Sequence, residues 1–370
     1  EEIDGPSSPL ETWWTTLNDP KLIELIHEAR LNNLGVQIAA ERVVEARAQL
    51  GIATGRYYPD VAVDGSYSRQ SVSENSRQIA PPGGIDDFDL WNLGVGFGWE
   101  IDVFGRLRRG AESARAAMEV SIEDYRDVMV ILMADVAANY IEIRTLQDRI
   151  EYGRANVEAQ SESLQLTKDR FDAGLSPLTD VTQAEYNLAN SQAAIPRLEA
   201  RLAAATNRLA VLLGKPPGAV NDLLTGESEI PDPDETVLIG MPADLLRRRP
   251  DIRAAERQLA SQTALIGVAK ADLYPTFSLA GILALESFDA SNFFDSDSVT
   301  WSLVPGLRWN IFTAGKIRNN IRVQEARTQQ LLLAYEQSVL FALDEVESTM
   351  VAYERQKLRR DRLYEAVDAS

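Results

Sequence analysis

Residues 99–106 read Trp99-Glu100-Ile101-Asp102-Val103-Phe104-Gly105-Arg106, and they return as Trp309-Asn310-Ile311-Phe312-Thr313-Ala314-Gly315-Lys316. Each copy passes from a period of two into a helical period at its glycine. Leu93, Val95, Phe97, Trp99, Ile101 and Val103 share one face of the strand leading in. The other face carries Gly94, Gly96, Gly98, Glu100 and Asp102. Apolar outward and small or polar inward is the alternation of a membrane-crossing strand, which needs about 9 to 11 residues. Alone, the segment would suit a half-buried strand of a soluble sandwich equally well. Its duplication decides the reading.

The repetition extends upstream at a spacing of roughly 210 to 216 residues. Ala39-Ala40-Glu41-Arg42 returns as Ala254-Ala255-Glu256-Arg257, and Tyr58-Pro59 as Tyr274-Pro275. Val61, Val63, Gly65 and Tyr67 alternate with Ala62, Asp64, Ser66 and Ser68. In the second copy Phe277 and Leu279, then Trp301, Leu303, Leu307, Trp309 and Ile311, take one face, interrupted by Pro305. The plan is an extended arm over 1–20 and a first repeat over 21–213, with strands near 58–70 and 91–103 and a helical hairpin over 105–213. An irregular Pro/Gly/acid-rich linker spans 214–242. A second repeat over 243–370 has strands near 274–286 and 299–312 and a long helix over 315–370. The first helix should begin at Asp19 or Pro20 and break around Asn32-Asn33-Leu34-Gly35. Four strands cannot close a membrane barrel, since the smallest has about eight, and open edges in lipid leave backbone groups unsatisfied. Three chains would supply about twelve strands, a number able to close.

Between the strand pairs lies the longest periodic segment. Ile122, Met129, Val136, Ile143, Ile150, Val157, Leu164 and Phe171 recur every seventh residue. The returning arm answers with Val181, Leu188, Ile195, Leu202 and Leu209, beside Ala184, Ser191, Leu198, Ala205 and Leu212, and Pro196 should bend it. A strict seven-residue repeat implies left-handed coiling of paired helices. A helix over 106–172 would be about 100 Å long, too long for a compact globule, so it should project as a rod. The companion row begins Tyr125, Leu132, Asn139, Leu146 and ends Gly153, Gln160, Thr167, so a wide apolar face narrows toward the tip. Two readings stand: a two-helix coiled coil, or one stave of a larger helical barrel.

Composition removes several classes. With 37 basic and 56 acidic residues the net charge is −19, which argues against a nucleic-acid surface. There is no cysteine, so no disulfide, thiolate metal site or cysteine nucleophile. The single histidine, His27, sits beside Ile26 on an early helix and reads as structural or exposed. Zinc chemistry and a Ser-His-Asp triad have nothing to build on, so no cofactor and no enzyme activity are expected. No run reaches the roughly 18 to 20 apolar residues of a membrane helix; Val128 to Ala134 stops at Asp135. A membrane would have to be entered with strands.

Three motifs together carry a resemblance. They are Trp99 to Arg106 with its second copy, Phe171-Asp172-Ala173-Gly174-Leu175-Ser176-Pro177-Leu178-Thr179-Asp180-Val181, and Leu246-Arg247-Arg248-Arg249-Pro250-Asp251-Ile252. Nearly the whole chain resembles the TolC-type outer membrane factors, most of all the branch serving resistance-nodulation-division efflux pumps. The resemblance implies a mainly α fold with membrane β: a homotrimer whose strands form one twelve-stranded barrel in the outer-membrane lipid of a Gram-negative bacterium, continued by an α-helical barrel in the periplasm. It implies a passive exit duct for drugs or other small molecules, with a periplasmic adaptor and an inner-membrane pump as partners. The family's glycine-leucine-small-residue tip turn, which docks the adaptor, falls here on Gly174, Leu175 and Ser176. Chains of this branch usually begin with a lipidated cysteine, which this sequence does not contain. The second long helix runs to Ser370; the repeat spacing would put its turn near ~384 and a return helix to about 423. The C-terminal hairpin is thus incomplete here, and the gating residues of the family's second hairpin fall outside the sequence.

Candidate site residues follow. Arg170 and Asp180 flank the tip and could constrict it or meet the adaptor. Glu100 and Asp102 are expected to face the lumen, opposite lipid-facing Leu93, Val95, Phe97, Trp99, Trp301, Leu303, Leu307 and Trp309. The rival readings are a periplasmic adaptor, which carries one hairpin between compact β domains, and a soluble coiled-coil scaffold. The duplication and the strand faces speak against both.

Overall fold

The computed structural model describes residues 9–71, 87–224, 230–231 and 247–369. Its elements are α1 (Pro20–Asn32), α2 (Leu34–Gly55), β1 (Asp60–Gln70), β2 (Phe88–Ile101), α3 (Arg106–Asp172), α4 (Leu178–Leu212), α5 (Pro250–Ala271), β3 (Thr276–Ser287), β4 (Val299–Arg308) and α6 (Lys316–Asp368). Two compact units divide the chain, one comprising Glu1–Glu41 with Asp124–Met241, the other Arg42–Glu123 with Pro242–Ser370.

The first unit is a helical hairpin thickened at one end. Val136 and Ile143 on α3, with Leu209 on α4, are fully buried. From 182 to 204 only the two seam rows of α4 are even half-buried, and every other position is exposed. On α3 between 151 and 167, Gly153, Val157, Gln160, Leu164 and Thr167 alone are shielded. The period of seven therefore buries what it should. The wide face of α3 is covered by α1, whose Leu22, Leu25, Ile26 and Ala29 join Leu132, Met133, Val136 and Tyr140 in one apolar cluster. Asp19 starts α1 by accepting the N–H groups of Lys21 and Leu22 at 2.7 and 3.0 Å. His27 lies exposed on this helix.

Two expectations need correction here. The segment before α1 is not extended throughout, for Pro9–Leu17 forms a 3₁₀ helix. Thr16 closes a turn onto the Trp13 carbonyl, and Trp14 is buried in the cluster with Trp13 edge-on to it. A buried indole rewards the tighter coil. The 214–242 linker is not wholly irregular either. Asp222–Leu224 is a 3₁₀ turn, and Val220 and Leu224 are buried against the hairpin. Residues 1–8, and most of the linker, lie outside the described residues.

The second unit holds a four-stranded antiparallel sheet in the order β1-β2-β3-β4. Strand β2 is shared between the hairpin β1–β2 and β3, so one pair from each repeat meets along β2–β3. At the strand-to-helix junctions Gly105 and Gly315 both adopt φ of 81°. Beside the sheet, α5 packs on α6, where Gln262 bonds Gln324 at 2.8 Å. It also meets the start of α3, where Ser261 and Ser113 share a 2.9 Å hydroxyl contact. Among the described residues no helix is long and apolar enough to cross a membrane.

Strand ends differ from the sequence reading. β2 stops at Ile101 and β4 at Arg308, so Asp102, Val103 and Trp309 stand outside the strands. Asp102 leaves the ladder to cap α3. The backbone after Arg308 turns as the N–H of Ile311 reaches the carbonyl of Trp309.

Candidate channel wall and helical tip

Register sorts every strand residue onto one of two faces, because residues directly opposite share a face. Val63 pairs with Val95, Val95 with Leu283 and Leu283 with Trp301. The next rows are Val61, Phe97, Gly281, Leu303, and then Trp99, Leu279, Pro305. Ile101 pairs with Phe277 and Phe277 with Leu307, while Leu93 lies in the row of Leu285 and Val299. One face is thus apolar across all four strands. Val61, Val63, Leu93, Val95, Leu283, Trp301, Leu303 and Leu307 on it are exposed. An exposed apolar surface of this extent marks contact with lipid or protein.

The opposite face is built mainly from small and polar residues, with Ile282 and Val304 among its large apolar exceptions. Asp64, Gly94, Ala284 and Thr300 form one row, and Ala62, Gly96, Ile282 and Ser302 another. Glu100 belongs to this face, paired with Ser278. Its carboxylate is not free: Arg106 Nε donates to Oε1 at 2.9 Å, and a second guanidinium nitrogen bonds Oε2. Arg106 is held more firmly protonated by that hydrogen bond, against the opposing effect of burial. Asp102 accepts the N–H groups of Leu107 and Arg108 at 3.1 and 2.9 Å and pairs with the Arg108 guanidinium. From before the Gly105 N-cap position its side chain thus satisfies two first-turn N–H groups of α3. The second repeat has Asn310 and Phe312 at these positions, and the N-cap of α6, Gly315, makes no side-chain capping bond.

The tip is a Schellman turn. Gly174 adopts φ of 73°, its N–H bonds the Phe171 carbonyl, and the Leu175 N–H bonds the Arg170 carbonyl, both at 2.8 Å. In that motif an apolar residue at the Leu175 position often packs back on its own helix. Here Leu175 remains 79% exposed, with Phe171 and Leu178 also exposed beside it. Arg170 and Asp180 are exposed near it, whereas Ser176 is half-buried, its hydroxyl oxygen buried without a partner. Val181 is buried directly after the turn and fixes the return arm.

Sequence reasoning missed Arg106 as the partner of Glu100, and it missed the aromatic stack of Phe104 on Tyr274, centroids 4.7 Å apart. The duplicated junction glycines, Gly105 and Gly315, and the repeated Tyr-Pro pairs were the available signal. Among the described residues no cluster of His, Cys, Asp and Glu could hold a metal.

A two-faced sheet assembled from duplicated strand pairs, each pair followed by a long helix, defines the class of fold. Comparison with known proteins gives this class its family. A model described as "Outer membrane efflux protein" matches residues 25–215 and 241–369. Nodulation protein T of Rhizobium leguminosarum bv. trifolii is 32% identical over 344 residues, covering 93% of this chain and 72% of that protein. The solvent efflux pump outer membrane protein SrpC of Pseudomonas putida is 33% identical over 334 residues, 90% of this chain and 70% of its own. The solved outer-membrane channel OprN matches with a TM-score of 0.88 at 34% identity, covering 94% of this chain and 77% of that one. The chain belongs to the outer membrane efflux protein family. It has the TolC-type fold, is placed in the outer membrane, and serves as an efflux channel in a family that consists of channels rather than enzymes.

Proposed function

We propose that three copies of this chain close a twelve-stranded barrel and form the passive exit duct of a tripartite efflux pump. The observation that carries this reading is the sheet itself. It has one exposed apolar face, one mainly small and polar face, and two open edges, β1 and β4. An open edge cannot persist in lipid, and pairing β4 of one copy with β1 of the next satisfies both. The apolar face then meets outer-membrane lipid, with Trp309 just past the strand end, and the small face surrounds water. Glu100 faces that lumen as the partner of Arg106, whereas Asp102 serves mainly as the cap of α3. Energy and substrate choice come from an inner-membrane pump, as the role of SrpC as the outer membrane protein of a solvent efflux pump suggests.

The helical hairpins extend into the periplasm, where Gly174, Leu175 and Ser176 meet the adaptor, with Arg170 and Asp180 beside them. An exposed leucine that forgoes its usual contact supports a docking role. Two measurements test the proposal. Light scattering of the detergent-purified protein should give the mass of three chains; a monomer soluble without detergent would overturn the barrel. Leu175→Asp should abolish drug efflux while trimers remain in the membrane, and unchanged efflux would remove the docking role.

A further inference from the structure

Where β2 leads into α3 and α5 leads into β3, the molecule forms an open cavity of about 490 Å³. That is within the range of about 300 to 1,000 Å³ typical of small-ligand sites. Three cations line it, Arg108, Arg109 and Lys270, against a single carboxylate, Glu112. In a chain of net charge −19 this is a local reversal of sign. Glu112 is taken up by Arg109 at 2.6 Å and Asp102 pairs with Arg108 at 3.4 Å, so among the described residues Lys270 is the lining cation that makes no ion pair. Gly267 makes the room, since a Cβ there would lie 2.8 Å from Cγ of Arg109.

The cavity also has an aromatic lip. Phe104 stacks on Tyr274 and, at 6.4 Å, on Phe277, a residue of the apolar sheet face. These rings link that face to the cavity, whose lining includes Phe104 and Tyr274. The lining is not repeated in full: the second repeat has Ala314 and Asn319 where Phe104 and Arg109 stand, and the first repeat has Thr54 where Lys270 stands, while Arg318 matches Arg108.

We propose that this cavity binds a phosphoryl group, and that its source is a membrane lipid whose acyl chains lie on the apolar sheet face. The proposal rests on the reading of that face as lipid-facing. Phosphate oxygens would take the Lys270 ammonium and the outer nitrogens of Arg108 and Arg109, while Phe104 and Tyr274 occupy the interfacial level that amphipathic and aromatic rings favour.

The test is native mass spectrometry of the full chain in detergent, titrated with phosphatidylglycerol, with diacylglycerol of the same chains, and with inorganic phosphate. Phosphatidylglycerol should bind and diacylglycerol should not. Lys270→Gln should weaken the lipid roughly fivefold, and Lys270→Gln with Arg109→Gln roughly fivefold again. Phe104→Ala should weaken the lipid and leave phosphate unchanged. Phosphate binding as well as the lipid, and lost in the same variants, would keep the phosphoryl site but assign it to a soluble ligand. Equal lipid retention by wild type and a folded double variant overturns the site. Alkaline carbonate extraction separates the two levels: release of the wild type from membranes would overturn the lipid-facing reading itself, whereas retention with unchanged lipid binding overturns the cavity alone.

Discussion

Trp309 repeats the hydrogen bond that Trp99 makes. The Trp99 indole Nε1 donates to the carbonyl of Tyr57 at 2.8 Å, and that of Trp309 to the carbonyl of Leu273 at 3.0 Å. Tyr57 precedes Tyr58-Pro59 and Leu273 precedes Tyr274-Pro275, so both bonds tie the end of an outgoing strand to the turn that launches its neighbour. The duplication has conserved a contact as well as a sequence.

Replacing either indole by phenylalanine keeps most of the apolar area and removes the donor. Each substitution should cost about 1 kcal/mol, the net worth of one hydrogen bond. Trp99→Phe should cost the more, because Trp99 is half-buried while Trp309 is exposed and water can replace its partner. Thermal unfolding in detergent, followed by circular dichroism, measures both. Equal stability of Trp99→Phe and wild type would mean that the bond is not what fixes the turn.

Two Schellman glycines provide a matched comparison. Gly174 and Gly214 have φ of 73° and 70°, so an alanine at either bears the left-handed backbone cost of about 1 to 2 kcal/mol. At Gly174 a Cβ would meet nothing within 4 Å, whereas at Gly214 it would collide with the backbone carbonyl of Asn32. Gly174→Ala should therefore destabilise by about 1 kcal/mol and leave the tip in place. Gly214→Ala should destabilise by clearly more, since backbone cannot move aside as a side chain can. Similar unfolding midpoints for the two variants would contradict this.

These cases show what the sequence made legible. The seams of α3 and α4 could be read because a period of seven survives any local detail, and the two sheet faces because pairing preserves a period of two. Glu100 was read correctly onto the small face of the sheet, but its partner was not foreseen. Arg106 reaches it only because the positive φ of Gly105 turns the chain from strand into helix, a geometry without a periodic signature. The 3₁₀ run at Pro9–Leu17 escaped for a related reason, since its stability comes from burying Trp14 under a cluster drawn from distant helices. The cationic cavity joins Phe104 to Lys270, and nothing local marks that pairing.

Tyr140 illustrates a buried contact whose loss should be costly. It is fully buried, its hydroxyl donates to Asp19 Oδ2 at 2.8 Å and accepts from Arg144 Nε at 3.2 Å, and the Arg144 guanidinium lies 5.1 Å from the ring centre. Arg144 is itself buried and also reaches the Leu224 carbonyl at 3.3 Å. Tyr140→Phe keeps the ring but removes one acceptor of a buried cation and the donor to Asp19, at a cost of about 1 to 3 kcal/mol. Unfolding by denaturant should show a lower midpoint with an unchanged slope. A loss under about 0.5 kcal/mol would mean that water replaces the hydroxyl.

At the start of α5, Arg249 bonds Asp251 at 3.1 and 2.9 Å and Glu345 of α6 at 2.8 Å. Burial acts to raise the Asp251 pKa, but the hydrogen bond and charge of Arg249 and the N–H of Ile252 outweigh it and hold the carboxyl below its ordinary value of 3.8. A carboxylate depressed on folding contributes stability above its unfolded pKa and loses it as pH falls through the folded one. Because the Arg249 and Asp251 side chains are 31% and 37% exposed, solvent screens the pair and the contribution should stay under about 1 kcal/mol. Asp251→Asn should thus lower the unfolding midpoint slightly at neutral pH. The difference from wild type should shrink as pH drops below about 4, where the wild-type carboxyl takes up its proton. A difference that persists unchanged in acid would show that the asparagine acts through packing at the helix start rather than through charge.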